Sequence, residues 1–231
     1  PIEFVDEAAR AWGGDPSAFK IEGIAVICAG EWLLPPQDYS EVREWEEALG
    51  FRLLSSEEGT YFLVMESLSS WAPQVALAAE LLFACGAKGV ILACEGSRIG
   101  PDVCIGDLVI PTVALRNEGV SWHYLPPERP ARPDEAMVSA LERACLERGI
   151  RYHLGPVLTT SCLFRRTKTR TRELIEDECL ASDRCSAAIF SVAMARGGRA
   201  CSILVITDSY TRPLPRSKRR EGESRIAEML G

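Results

Sequence analysis

Residues 106–131 read GDLVIPTVALRNEGVSWHYLPPERPA. An apolar run from Leu108 to Ile110 opens the stretch, and its strand pattern carries on to Leu115. A polar loop follows and ends in an aromatic segment stiffened by Pro126, Pro127 and Pro130. A short apolar run bounded by turn residues predicts a buried strand. The same kind of strand recurs on both sides of it.

Upstream, Gly23 to Ala29 and Val90 to Ala93 are apolar strands, and Phe51 to Leu54 and Tyr61 to Met65 form a hairpin around Glu58-Gly59. Helices are predicted over Phe4 to Trp12, Tyr39 to Leu49 and Pro73 to Cys85. The last of these has proline in its first turn and Gly86 just past its end, the expected punctuation. Downstream, Asp134 to Arg148, Thr169 to Glu178, Cys185 to Ala195 and Ser217 to Leu230 read as helices. Arg151 to Leu158 and Ala200 to Ile206 read as strands. Ser182 or Asp183 is placed to cap the helix at 185. Strand and helix alternate with no repeat and no long linker, so a single α/β domain over residues 1–231 is expected. Its near-continuous apolar strands imply a mostly parallel or mixed sheet covered on both faces. Ligands bind such sheets at the carboxyl ends of the strands.

Bulk properties narrow the function. The chain has 231 residues and a net charge of −7. That balance disfavours a nucleic-acid binder, which needs a basic face. The run Arg165, Arg166, Lys168, Arg170 and Arg172 goes against the trend, as a solvated helix start or an anion site. No apolar run reaches the roughly 20 residues that span a bilayer. The acidic, amphipathic start lacks a secretory layout, so a soluble cytoplasmic protein is expected. The nine cysteines form no Cys-x-x-Cys pair and there are two histidines, so no metal site is expected. Cys28, Cys85, Cys94, Cys104 and Cys201 read as small buried hydrophobes in a reducing compartment.

The order of four segments carries a resemblance. AAELLFACGAKGVIL (78–92), PDVCIGDLVIPTVALRNEGVSWHYLPP (101–127), HLGPVLTT (153–160) and SAAIFSVAMARGGRACSILVITDS (186–209) resemble nucleoside phosphorylases of the uridine phosphorylase-like kind. The resemblance implies a mixed, barrel-like central sheet flanked by helices and a homo-oligomer. It also implies cleavage of a nucleoside's glycosidic bond, with phosphate as co-substrate and no other cofactor. Membrane and nucleic-acid partners are not expected.

Such a reaction needs an anion cradle, a grip on the ribose and stabilisation of the departing base. Asp208, after the strand 203–206, matches the family's base-binding acid, though Asp-Ser is also turn chemistry. Phe164 and Arg165 match an aromatic-Arg pair in the family's base loop: the ring would stack on a base and the guanidinium reach a carbonyl. The remaining matches are altered. Cys185 stands where the resemblance places a ribose-binding carboxylate, and a thiol is a weak substitute. Arg184 replaces the apolar floor of the sugar site, and Asp183 reads as a helix cap. Glu95, in Cys94-Glu95-Gly96-Ser97, replaces a phosphate-binding hydroxyl. Two like charges 4 Å apart cost about 4 kcal/mol at an effective dielectric near 20. Trp71 stands where a glycine would let backbone approach the anion. Gly96 and Ser97 could rebuild the anion site one residue along. The sequence leaves three readings: a phosphorylase with an altered site, a phosphate-independent nucleoside hydrolase, and a non-catalytic nucleoside-binding or co-assembling relative.

Overall fold

Ten residues of one strand, Gly89–Arg98 (β5), connect the two parts of the sheet. The computed structural model describes residues 20–30, 33, 38–44, 51–65 and 71–210. Before β5 come Ile24–Cys28 (β1), Tyr39–Glu44 (β2), Phe51–Ser56 (β3), Tyr61–Met65 (β4) and the helix Ala72–Ala84 (α1). After it come Leu108–Asn117 (β6), the 3-10 turn Ser121–His123, the helix Glu135–Glu147 (α2), Tyr152–Thr160 (β7) and the helix Lys168–Glu176 (α3). Ala181–Asp183 (β8), the helix Ser186–Arg196 (α4) and Arg199–Ser209 (β9) complete the described order.

The strands run β2-β3-β4-β1-β5-β8-β7-β6-β9, and β9 pairs back onto β5. That last pairing closes β5, β8, β7, β6 and β9 into a five-stranded barrel-like ring. β1 to β4 extend from its β5 side as an open arm. The β5–β9 ladder is parallel from Gly89↔Arg199 to Arg98↔Ser209, with an irregularity at Gly96/Ser97. Closure removes the exposed edges that an open sheet leaves. α1 and α4 share one core with β5, through Val75, Ala79, Leu82, Val90, Leu92, Ala187 and Phe190. α2 covers other strands, where Val138, Leu141 and Cys145 join Leu108, Ile110 and Val205.

Local signals explain the elements. α1 starts with proline in its first turn and stops where Gly86 takes φ +100°, open to glycine but not to most side chains. The Asp134 carboxylate caps α2 by accepting from Met137 N–H at 3.0 Å. In the stretch 106–131, Arg116 ties the loop into a fixed shape. Its guanidinium donates to Ser121 Oγ (2.9 Å), to the Pro126 and Arg129 carbonyls (2.6 and 2.8 Å) and to the Leu125 carbonyl (2.7 Å). The loop thereby packs Tyr124 onto the α1/α4 core. Burial, then the Glu80 carboxylate beside it, push the Tyr124 hydroxyl up to about 12.

Several expectations change. Residues 39–44 form an edge strand, not the start of a helix, because YSEVRE pairs antiparallel with β3 and Tyr39 packs edge-on against Phe62 at 5.3 Å. The short β8 was not legible; three residues carry too little pattern. β5, β6, β7 and β9 all run further toward their carboxyl ends than their apolar cores suggest. Ladder hydrogen bonds extend a strand past its hydrophobic residues. Cys104 is exposed rather than buried, because it opens a turn whose N–H is held by Asp107 Oδ2 at 2.9 Å. His153 sits on β7 with Nε2 2.7 Å from that same carboxylate. The expected helices at 4–12 and 217–230 lie outside the described residues. No helix among the described residues is long and apolar enough to cross a membrane.

Replacing Arg116 by Ala should lower stability by about 2–3 kcal/mol, since several carbonyls lose a charged donor together. Arg116→Lys should recover less than half of it, because one ammonium cannot reproduce the planar fork. Urea unfolding of the three proteins checks this. Seven of the nine cysteines are buried, and burial pushes Cys28, Cys179 and Cys201 up to about 12. Ellman titration of the native protein should therefore count only the two exposed thiols, Cys104 and Cys162, quickly, and the rest only in denaturant.

Candidate functional site

The carboxyl ends of β5, β8 and β9, with the loop after β7, surround a cavity of about 330 Å³. β5 contributes Glu95, Gly96 and Ser97; β9 contributes Thr207 and Asp208. Ser182, Asp183 and Arg184 come from β8 and the residue beyond it, and Leu163, Phe164 and Arg166 from the loop. This is the position that parallel-strand packing assigns to a ligand.

Asp208 is the acid at the end of β9. It is buried, and its Oδ1 accepts the Ser209 N–H at 2.8 Å, which fixes the carboxyl against the backbone. The ladder sets Asp208 opposite Ser97 and Val205 opposite Glu95, so the two acids lie on neighbouring strands of one wall. Gly96 lies between Glu95 and Ser97. A Cβ there would stand 3.1 Å from Ile206 Cδ1 and Leu204 Cδ2, tighter than ordinary packing. The glycine lets β5 and β9 approach where the ladder changes register.

Six sequence-predicted residues reach the wall: Glu95, Gly96, Ser97, Phe164, Arg184 and Asp208. Phe164 is at the rim, its side chain fully exposed. Three do not. Arg165 is exposed and outside the lining, in a turn where its N–H donates to the Cys162 carbonyl at 3.1 Å. Arg166 enters the wall instead, with its guanidinium 4.8 Å from the Tyr210 ring centroid and Nη1 3.4 Å from the Tyr210 carbonyl. Trp71 is the N-cap residue of α1, and its ring stacks under the Arg184 guanidinium at 5.2 Å. It therefore shapes the wall through Arg184 rather than by filling the cavity. Cys185 is buried at the start of α4, behind the wall. The loop 66–70 and residues 31 and 32 lie outside the described residues.

Asp183 is the residue whose importance the sequence understated. Its Oδ2 accepts the Ser186 N–H at 2.7 Å, which is the expected capping role for α4. Its Oδ1 also accepts from Thr159 Oγ1 at 2.6 Å, and Thr159 Oγ1 in turn accepts the Ala187 N–H at 3.0 Å. Burial raises this carboxyl above the usual range, against the pull of the Ser186 and Thr159 donors. Only the fold brings Thr159 within reach. A hint lay in the sequence: an Asp just before a helix start is a capping residue. Nothing in the sequence pointed to Arg166 over Arg165.

Chemically, the wall offers two guanidiniums, Arg166 and Arg184, against the carboxyls of Glu95 and Asp208, with the Asp183 carboxyl already engaged. Such a wall suits a neutral ligand rich in hydroxyl, carbonyl and ring N–H groups. It suits a bare dianion less well, because an ionised Glu95 donates no hydrogen bond and repels an oxyanion.

The family model described as Phosphorylase superfamily matches residues 24–230. A uridine phosphorylase from Treponema pallidum is 30% identical over 151 residues, 61% of this chain and 58% of that protein. A uridine phosphorylase from Thermococcus kodakarensis is 36% identical over 126 residues, covering 52% of this chain and 46% of its own. A guanosine phosphorylase from Halorubrum lacusprofundi is 25% identical over 194 residues, 84% of this chain and 75% of that one. The matches thus span about half the length of the two uridine phosphorylases. The crystal structure of uridine phosphorylase from Vibrio fischeri superposes with a TM-score of 0.75 at 21% identity, over 93% of this chain and 92% of that chain. At that identity the likeness shows the fold.

Thr159→Val keeps the shape of the side chain and removes its hydroxyl. It should leave the buried Asp183 carboxyl and the Ala187 N–H each short of a partner and cost about 2–4 kcal/mol. The midpoint of urea unfolding, compared with that of the unmutated protein, reads the effect.

Proposed function

The chain belongs to the phosphorylase superfamily, and on that premise we propose that it binds a nucleoside and cleaves its glycosidic bond with phosphate as co-substrate. The observation that carries the reading is the buried Asp208 at the end of β9, in the wall of a cavity at the carboxyl ends of the barrel strands. The base lies against Asp208, with Phe164 over it and the Arg166 guanidinium toward a carbonyl oxygen. The Asp208 carboxyl shares a proton with the departing ring nitrogen and so stabilises the base as the bond breaks. Uridine and guanosine are the first substrates to try, since the relatives named above act on them and both bases carry a carbonyl next to a ring N–H.

In this reading Glu95 sets the terms for the second substrate. Phosphate enters a wall where a carboxylate replaces a donor, so its affinity is low, and Arg184, held by Trp71, supplies the opposing charge. No other cofactor is required. A reducing cytoplasm suits the seven buried thiols. A homo-oligomer belongs to the same proposal, and light scattering tests it.

The deciding experiment measures release of uracil or guanine across a phosphate series. The reading expects release that rises with phosphate and does not saturate at low millimolar levels. Release unchanged by phosphate would make the protein a hydrolase. A folded protein releasing no base at any phosphate concentration would make it a binding relative. Two variants sharpen this. Asp208→Asn should lower kcat by about 100-fold or more. Glu95→Thr, which restores a hydroxyl donor, should raise kcat/KM for phosphate by about tenfold.

A further inference from the structure

We propose that Cys94, Asp183 and Cys185 form a binding site for one divalent metal ion of zinc's class, buried behind the cavity wall. The three residues come from different elements. Cys94 is on β5, Asp183 ends β8, and Cys185 stands at the N-cap position of α4. The antiparallel β5–β8 pairing, Ser97↔Ser182 and Arg98↔Ala181, brings the first of these beside the Asp-x-Cys turn. All three side chains are buried.

The geometry suits a tetrahedral ion. One ligand atom from each residue lies within 4.8 Å of the other two, and Cys94 Sγ is 3.9 Å from Asp183 Oδ2. A tetrahedral zinc ion holds sulfur at about 2.3 Å and carboxylate oxygen at about 2.0–2.2 Å. Its ligand atoms then lie about 3.6–3.8 Å apart. Small side-chain rotations close the difference. Three protein donors leave one position for water, the arrangement of an open rather than a closed site. Two sulfurs and one oxygen select a borderline-soft ion over magnesium or calcium.

The surroundings support the donors. Thr159 Oγ1 and the Ser186 N–H hold the two Asp183 oxygens, which orients the carboxylate as outer partners of metal ligands commonly do. Charge also balances. Two thiolates, a carboxylate and a divalent ion sum to −1. The Arg184 cation acts on Cys94, and the first N–H of α4, that of Ser186, donates to Asp183 Oδ2. Metal-bound cysteine sulfur is thiolate. Binding therefore breaks two S–H bonds, forms two S–metal bonds and passes two protons to the buffer.

The test uses the whole chain, purified under reducing conditions, stripped with a chelator and reloaded with Zn²⁺ or Co²⁺. About one ion per chain is expected, with release of two protons read from the buffer dependence of the binding heat. The cobalt form should show sulfur-to-metal charge-transfer absorption and the intense visible bands of a tetrahedral site. Cys94→Ser and Cys185→Ser should each weaken metal binding by tenfold or more, while Cys145→Ser on α2 should bind as wild type does. X-ray absorption at the metal edge of the unmutated protein should count two sulfur neighbours, and this stands even if a serine variant fails to fold. Absence of stoichiometric metal, equal binding by both serine variants, no sulfur neighbours, or a Cys94–Cys185 disulfide in the reduced preparation would overturn the proposal.

Discussion

The parallel ladder between β5 and β9 is the constraint on which the rest depends. Without it the sheet would be an open strip whose far strand, β9, faces solvent; with it five strands form a ring. The ladder fixes which residues of the two strands stand side by side at their carboxyl ends. It is why Ser97 faces Asp208, and why Glu95 lies on the same wall although more than a hundred residues separate them in sequence. Close approach at this point needs a residue without a side chain, and Gly96 supplies it against Leu204 and Ile206. The cavity is a consequence of ring closure, since its lining comes from strand ends that only closure brings together.

Around that ring, polar groups are satisfied in chains rather than singly. Thr159 on β7 holds Asp183 at the end of β8, Asp183 holds the first turn of α4, and α4 packs on α1. α1 begins at Trp71, whose ring carries Arg184, the residue that follows Asp183. The path returns to the cavity wall. A buried carboxyl is tolerable in such a place only because each oxygen has a donor. The position of the Arg184 cation is thus tied to two helix starts and a strand end.

The stretch 106–131 is held by different means. Its strand half is a member of the ring, paired to β7 along its length and to β9 at its start. Its loop half has little regular structure, yet one guanidinium on Arg116 engages four acceptors. A loop so fastened behaves as part of the core, which explains why its aromatic and proline residues are such an informative part of the sequence.

The sequence by itself determined the α/β class, the helices α1, α2, α3 and α4 to within a residue or two at most ends, the hairpin at Gly59 and the strand at 108. Each rests on local periodicity and on caps or glycine stops, which act within a few residues. It also determined the family, and with it Asp208 and Glu95 as wall residues. Tertiary structure alone decided that residues 39–44 extend as an edge strand, that a three-residue strand bridges β5 and β7 in the ring, and that Arg166 rather than Arg165 enters the wall. It alone decided that Trp71 acts through Arg184, and that Cys94, read as a small hydrophobe, and Cys185, read as standing in place of a ribose-binding carboxylate, meet at Asp183. The physical reason is the same in each case. These outcomes depend on strand pairing and ring closure between residues far apart in the chain, and no local pattern encodes which distant partner a side chain will face.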